Sequence, residues 1–142
     1  MCRTRTWQLR CSGESVTAGR HHAVHTLASW GVTAGDPACA ALDDIALVLT
    51  ELLTNAVKHC RSSFTLSLIA HRRAVVVMVS DEDQEFAERL EPPPLAEAGR
   101  GLQIVATVGR QWGQTAWERG AKQVWCEIAV PEGSALADGC RL

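Results

Sequence analysis

Along the chain the spacing of apolar and polar positions changes period several times, and each change predicts an element. Thr4 to Arg10 alternates loosely around Trp7 and Leu9, which predicts a short first strand. A turn-like Cys11-Ser12-Gly13-Glu14 follows. From Ser15 the spacing of Val16, Ala23, Val24, Leu27, Ala28 and Trp30 predicts a first helix closed by Gly31. A loop containing Gly35, Asp36 and Pro37 leads to the best-defined element, a helix from about Pro37 to Cys60. At about 100° per residue, Ile45, Val48, Leu49, Leu52, Leu53, Ala56 and Cys60 fall on one side of it, and Asp44, Glu51, Asn55 and Lys58 on the other.

Phe64 to Ala70 alternates as a strand. Ala74 to Val79 is almost continuously apolar and β-branched, the signature of a buried central strand, and it ends at Ser80-Asp81. Residues 82–98 break the pattern with three consecutive prolines and with six acidic residues against one arginine, which predicts a long mobile loop. Gly99-Arg100-Gly101 then opens a third helix carrying Leu102, Ile104, Val105 and Val108, with Gly109 near its end. Two last strands fit around Trp112 to Trp117 and Gln123 to Val130. The order β-α-α-β-β-loop-α-β-β implies an α+β fold, a two-layer sandwich with a mixed, mostly antiparallel sheet covered by helices on one face. We expect a single domain over residues 1–131 and a frayed tail over 132–142.

Composition narrows the function classes. A net charge of -2 argues against a direct nucleic-acid partner, because binding the phosphate backbone needs a basic surface. No window approaches the roughly 18 uncharged apolar residues of a membrane span, so the expectation is a cytoplasmic chain with no membrane partner. The six cysteines (Cys2, Cys11, Cys39, Cys60, Cys126 and Cys140) form no C-x-x-C pair and are expected as free thiols.

Three features could carry chemistry. On the second helix, spacings of four and seven stack Glu51, Asn55 and Lys58 along one stripe. A general base, a neutral oxygen for Mg²⁺ and an ammonium would then face one ligand. Asp81, ending a buried strand, is placed to accept a hydrogen bond from a ligand amine such as that of adenine. Gly99 and Gly101, at a helix start, let backbone N–H groups approach a phosphate. Each has an ordinary reading when taken singly: a solvated helix face, a turn aspartate, a loop-ending glycine. His21, His22 and His25 form His-His-x-x-His, with His21 and His25 at metal-ligand spacing but without the glutamate of H-E-x-x-H.

Taken in order, the Glu51-x-x-x-Asn55 helix, Asp81 at a strand end, the long loop and the glycine-opened helix resemble the ATPases of the GHKL superfamily. The short length, the pattern Gly99-Arg100-Gly101-Leu102-x-Ile104-Val105, then Trp112-Gly113 and Lys122-Gln123-Val124-Trp125, look like the anti-sigma-factor serine kinases within it. The resemblance covers about residues 5–130. It implies a Bergerat-like fold, with ATP and Mg²⁺ as cofactors. It also implies Glu51 as the residue that activates the attacking hydroxyl and Asn55 as the Mg²⁺ ligand. Asp81 would read adenine, Lys58 would lie toward the phosphates, and Gly99, Arg100, Gly101 and Leu102 would wrap the triphosphate. The implied partners are an anti-anti-sigma (STAS-type) protein and a sigma factor, and a homodimer through the first strand is a further option. The chain departs from the pattern after the aspartate, where Asp81-Glu82-Asp83-Gln84-Glu85 lacks the glycines of Asp-x-Gly-x-Gly. Near adenine, where the final strand often carries a threonine, this chain has Gln123. Those departures motivate an alternative, a module that binds nucleotide or sequesters its partner without phosphotransfer. A metal- or redox-responsive regulator is a third reading.

Overall fold

A computed structural model describes residues 3–71, 73–81, 100–116 and 122–136, with the backbone alone at residues 100–102 and 116. The elements run β1 (Arg3–Arg10), α1 (Glu14–Ser29), a 3₁₀ turn (Pro37–Ala41), α2 (Leu42–His59), β2 (Ser63–His71), β3 (Ala74–Asp81), α3 (Arg100–Val108), β4 (Gln111–Ala116) and β5 (Lys122–Ala129). The strands form one sheet in the order β1-β2-β3-β5-β4, antiparallel at every described pairing. The architecture is the expected α+β sandwich, with an antiparallel rather than mixed sheet.

Alternation fixes the faces. Leu66 and Leu68 of β2, Val75, Val77 and Val79 of β3, and Val124, Cys126 and Ile128 of β5 are buried, and they form one core with Ile45, Val48, Leu49, Leu52, Leu53 and Ala56 of α2. The buried set on α2 is the apolar stripe read from the sequence apart from Cys60, which caps the helix instead of lying in it. Burying that stripe supplies most of the helix's stability, since in folded proteins packing of an apolar face outweighs intrinsic helix propensity. Helix α2 packs against β3 and β5, with α1 and α3 beside it. Across the sheet, Ile69, Val76, Met78 and Trp125 are half-buried. A Cβ at Gly113 would lie 2.8 Å from the Trp125 indole nitrogen, so the Trp112-Gly113 pair sends one ring to the core and clears space for another.

The expected start of the second helix needs correction. Asp36 accepts a hydrogen bond from the Ala38 N–H (2.8 Å), Pro37 follows it, and the first turn is 3₁₀ before α2 begins at Leu42. At the end of α1, Gly31 takes φ +106°. The Val32 N–H reaches the Leu27 carbonyl (3.0 Å) and the Gly31 N–H the Ala28 carbonyl (3.0 Å), a Schellman close whose apolar contact joins buried Leu27 and Val32.

Two further expectations change. Residues 132–136, read as the start of a frayed tail, pack instead. Leu136 is buried, Ser134 is buried, and the Ala135 N–H donates to the Asp36 carboxylate at 2.9 Å. Residues 137–142 lie outside the described residues. Cys11 and Cys60 are joined in a disulfide and are not free thiols, because the end of β1 and the cap of α2 meet there with Cα atoms 5.9 Å apart. Among the described residues Cys39 and Cys126 remain free. Burial, with Glu127 beside it, pushes the Cys126 thiol up to about 11, which marks it as an inert core residue. No described helix is long and apolar enough to cross a membrane.

Candidate functional site

At the end of the sheet where β3 stops and β5 starts, the last two turns of α2 stand above the strand ends. Leu52, Asn55, Ala56 and His59 from α2, Val79 and Asp81 from β3, and Lys122 and Val124 from β5 line one open hollow. Its floor and walls are apolar, and four polar side chains rim it: Asn55, His59, Asp81 and Lys122. That combination of apolar walls and a few convergent polar groups is the composition of a small-ligand site.

Local sequence explains the convergence. Leu52, Ala56 and His59 are spaced at four and three along α2, and Asn55 lies one turn before His59, so the helix turns the edge of its core stripe toward the strand ends. On β3 the buried alternation Val75, Val77, Val79 carries Asp81 onto the same face. Asp81 is only 7% exposed. A carboxylate buried to that degree is costly unless charge or hydrogen bonds compensate it. Lys122 is its direct partner across the β3–β5 ladder and shares that face. Asp81, Lys122 and His59 all have interaction partners within the folded chain.

The expected site residues are brought together in part. Asn55 and Asp81 meet in the hollow. Glu51 is half-buried on α2 and Lys58 is exposed; neither lines the described hollow. His59, one turn beyond Asn55, also lines the hollow and was not among the expected site residues. The signal for it was present in the i, i+4 relation to Asn55. Lys122 was legible only through the β3–β5 register, which a sequence does not print. Gly99 lies outside the described residues. Arg100, Gly101 and Leu102 form the first turn of α3, which packs on α2, and only their backbone is described. Gln123, considered near adenine, stands opposite Ser80 and donates to Met78 on the far face of the sheet, away from the hollow. The acidic stretch 82–98 lies outside the described residues.

The histidines are engaged otherwise. His21 and His25 stack on each other with ring centroids 5.8 Å apart, and His22 stacks on Trp7 at 5.5 Å. Among the described residues no three His, Cys, Asp or Glu side chains gather as metal ligands.

Comparison with known proteins gives one match and one blank. The model of the histidine kinase-like ATPase domain matches residues 14–123. No curated protein matches the sequence. The matched span holds α1, α2, β2, β3, α3, β4 and the start of β5, and so every residue that lines the hollow except Val124. With most of its length covered, and with the hollow at the position where α2 meets the strand ends, the chain belongs to the histidine kinase-like ATPase domain family.

Proposed function

We propose that this protein is an ATP-binding serine/threonine protein kinase of the anti-sigma-factor type, acting on an anti-anti-sigma partner of the STAS class. The observation that carries the reading is the convergence of the Asn55 amide and the Asp81 carboxylate on a single apolar-walled hollow at the strand ends. Asp81 would accept the adenine amino group, with Leu52, Ala56, Val79 and Val124 against the base. The donor set fits Mg²⁺, which keeps most of its waters and needs only one or two protein oxygens, here the Asn55 amide. When bound, Mg²⁺ would neutralise charge on the phosphates. Glu51, one turn before Asn55 on α2, would take the proton of the attacking serine hydroxyl. The first turn of α3, which contains Gly101, would offer backbone N–H groups to the triphosphate, with Gly99 next to it in the sequence.

A second reading, nucleotide binding or partner capture without phosphotransfer, is favoured by the run Asp81-Glu82-Asp83-Gln84-Glu85, which has no glycine to let the backbone approach the nucleotide. One set of measurements separates the two. Titration calorimetry with ATP and Mg²⁺ should give binding to the wild type and a loss of tenfold or more in affinity for Asn55→Ala and Asp81→Ala, the size expected for one charge-assisted contact. Radiolabelled phosphate should move to the partner's serine and should stop moving in Glu51→Ala while partner binding persists. Nucleotide binding without transfer in the wild type would establish the second reading. Unimpaired transfer in Glu51→Ala would remove the assigned base.

A further inference from the structure

The two charged groups in the hollow are neighbours by construction. Asp81 and Lys122 are Cα partners at the last rung of the β3–β5 ladder, on the helix-covered face. Side chains directly opposite each other on an antiparallel pair have Cβ atoms about 4.5–5.5 Å apart. Both line the hollow, whose other strand-borne walls are Val79 and Val124, also partners of each other one rung inward on that face. The strand end therefore presents an apolar shelf with an acceptor and a donor side by side at its edge.

We propose that Lys122 is a base-reading residue of this site, donating a hydrogen bond to ring atom N1 of adenine while Asp81 accepts one from the 6-amino group. The proposal rests on the ATP-binding reading above and adds a specificity to it. An ionised aspartate only accepts, and its two oxygens offer about four lone-pair positions. It can hold the Lys122 ammonium on one side and an exocyclic amine on the other. An ammonium only donates, through three N–H bonds. Adjacent acceptor and donor match the edge of adenine, where the 6-amino donor lies beside the N1 acceptor. Guanine reverses that edge, with an acceptor at position 6 and an N–H at position 1. In the same pose it sets an oxygen against the carboxylate and an N–H against the ammonium, a mismatch that leaves buried polar groups unpaired. Neutralisation of Asp81 by Lys122 alone would predict no such atom-by-atom discrimination.

The test removes single atoms from the ligand. ATP, 1-deaza-ATP (which keeps the 6-amino group and replaces N1 by C–H) and GTP are titrated with Mg²⁺ into the wild type and into Lys122→Met, which keeps the apolar stem. The wild type should bind 1-deaza-ATP and GTP about tenfold or more weakly than ATP, the scale of one hydrogen bond to a charged group. Lys122→Met should bind ATP and 1-deaza-ATP equally. Equal wild-type affinity for ATP and 1-deaza-ATP, a difference that survives in Lys122→Met, or wild-type binding of GTP as tight as ATP would each overturn the assignment. Equal wild-type affinities would overturn the assignment whatever the folding of the variant. Binding of all three nucleotides with one affinity defeats the base reading and leaves nucleotide binding standing. Absence of any ATP binding defeats the underlying reading and this assignment with it.

Discussion

The two ends of the sheet are built differently. At the end where β1 and β3 begin and β5 finishes, the chain closes on itself. Gly31 completes the Schellman turn of α1, Asp36 caps the 3₁₀ turn and binds the Ala135 N–H, and Leu136 is buried beside them. The polar backbone there finds partners within the protein. At the opposite end, where β3 stops and β5 starts, polar side chains are gathered around a hollow instead of a plug: Asn55, His59, Asp81 and Lys122. Among the described residues, one end is tied by backbone and capping bonds and the other gathers polar side chains around an apolar hollow, the composition of a ligand site. What anchors the open end is covalent, because Cys60 follows His59 directly and is tied to Cys11.

That contrast predicts which perturbations affect binding. The largest effect should come from the disulfide. It links residues 49 apart in sequence, and a cross-link of that span stabilises by about 3–4 kcal/mol in the chain-entropy account. Reduction, or Cys60→Ser, should lower stability by that order in urea unfolding. It should also weaken ATP binding, because Asn55, Ala56 and His59 ride on the segment it tethers. Reduced protein with full stability would show that the β1–β2 pairing, which continues to a Cys11 N–H to Ser62 carbonyl bond (3.0 Å), holds this corner without it.

The next effect belongs to the closed end. A Cβ at Gly31 would sit 2.6 Å from the Ala135 Cβ, and the residue's φ of +106° suits no L side chain. Gly31→Ala should cost about 2–3 kcal/mol, combining backbone strain and overpacking. Thermal unfolding measures the loss, and calorimetry should find ATP affinity of the folded protein unchanged. If affinity fell in step with stability, the two ends would be coupled, and the division drawn above would fail.

The sequence made the closed core easy to read and the open site hard. The α2 stripe from Ile45 to Ala56 and the β-branched run Ala74 to Val79 carry their burial in their periodicity, so faces and elements followed directly. Asn55 and Asp81 were legible because each sits at a rule-bound place, a polar position beside a core stripe and the end of a buried strand. Lys122 was not, since its neighbour is set by strand register over a span of 41 positions. The disulfide failed for the same reason: Cys11 and Cys60 are near only once β1 pairs with β2 and α2 has run its full length. The packing of Leu136 was hidden because a short Gly- and Ser-containing segment has no period to betray what it touches.

The smallest expected effect is the most specific to the closed end. The Asp36 carboxylate accepts N–H bonds from Ala135 and Ala38, with the Ser134 hydroxyl adding to them, and these hold its pKa below the ordinary aspartate value of 3.8. A carboxyl that ionises more readily in the folded chain than in the unfolded one stabilises the fold at neutral pH. As pH falls below about 4 toward the lowered folded value, the unfolded state takes up its proton first and that contribution disappears. Asp36→Asn keeps an acceptor oxygen but cannot titrate. The stability lead of the wild type over this variant should therefore be constant near neutrality and shrink as pH falls below about 4, as followed by urea midpoints at each pH. A lead that stayed constant through that window would mean that the Ala135 and Ala38 amides do not favour the charged form. The link between the 132–136 segment and the 3₁₀ turn would then rest on the apolar contacts of Leu136 alone.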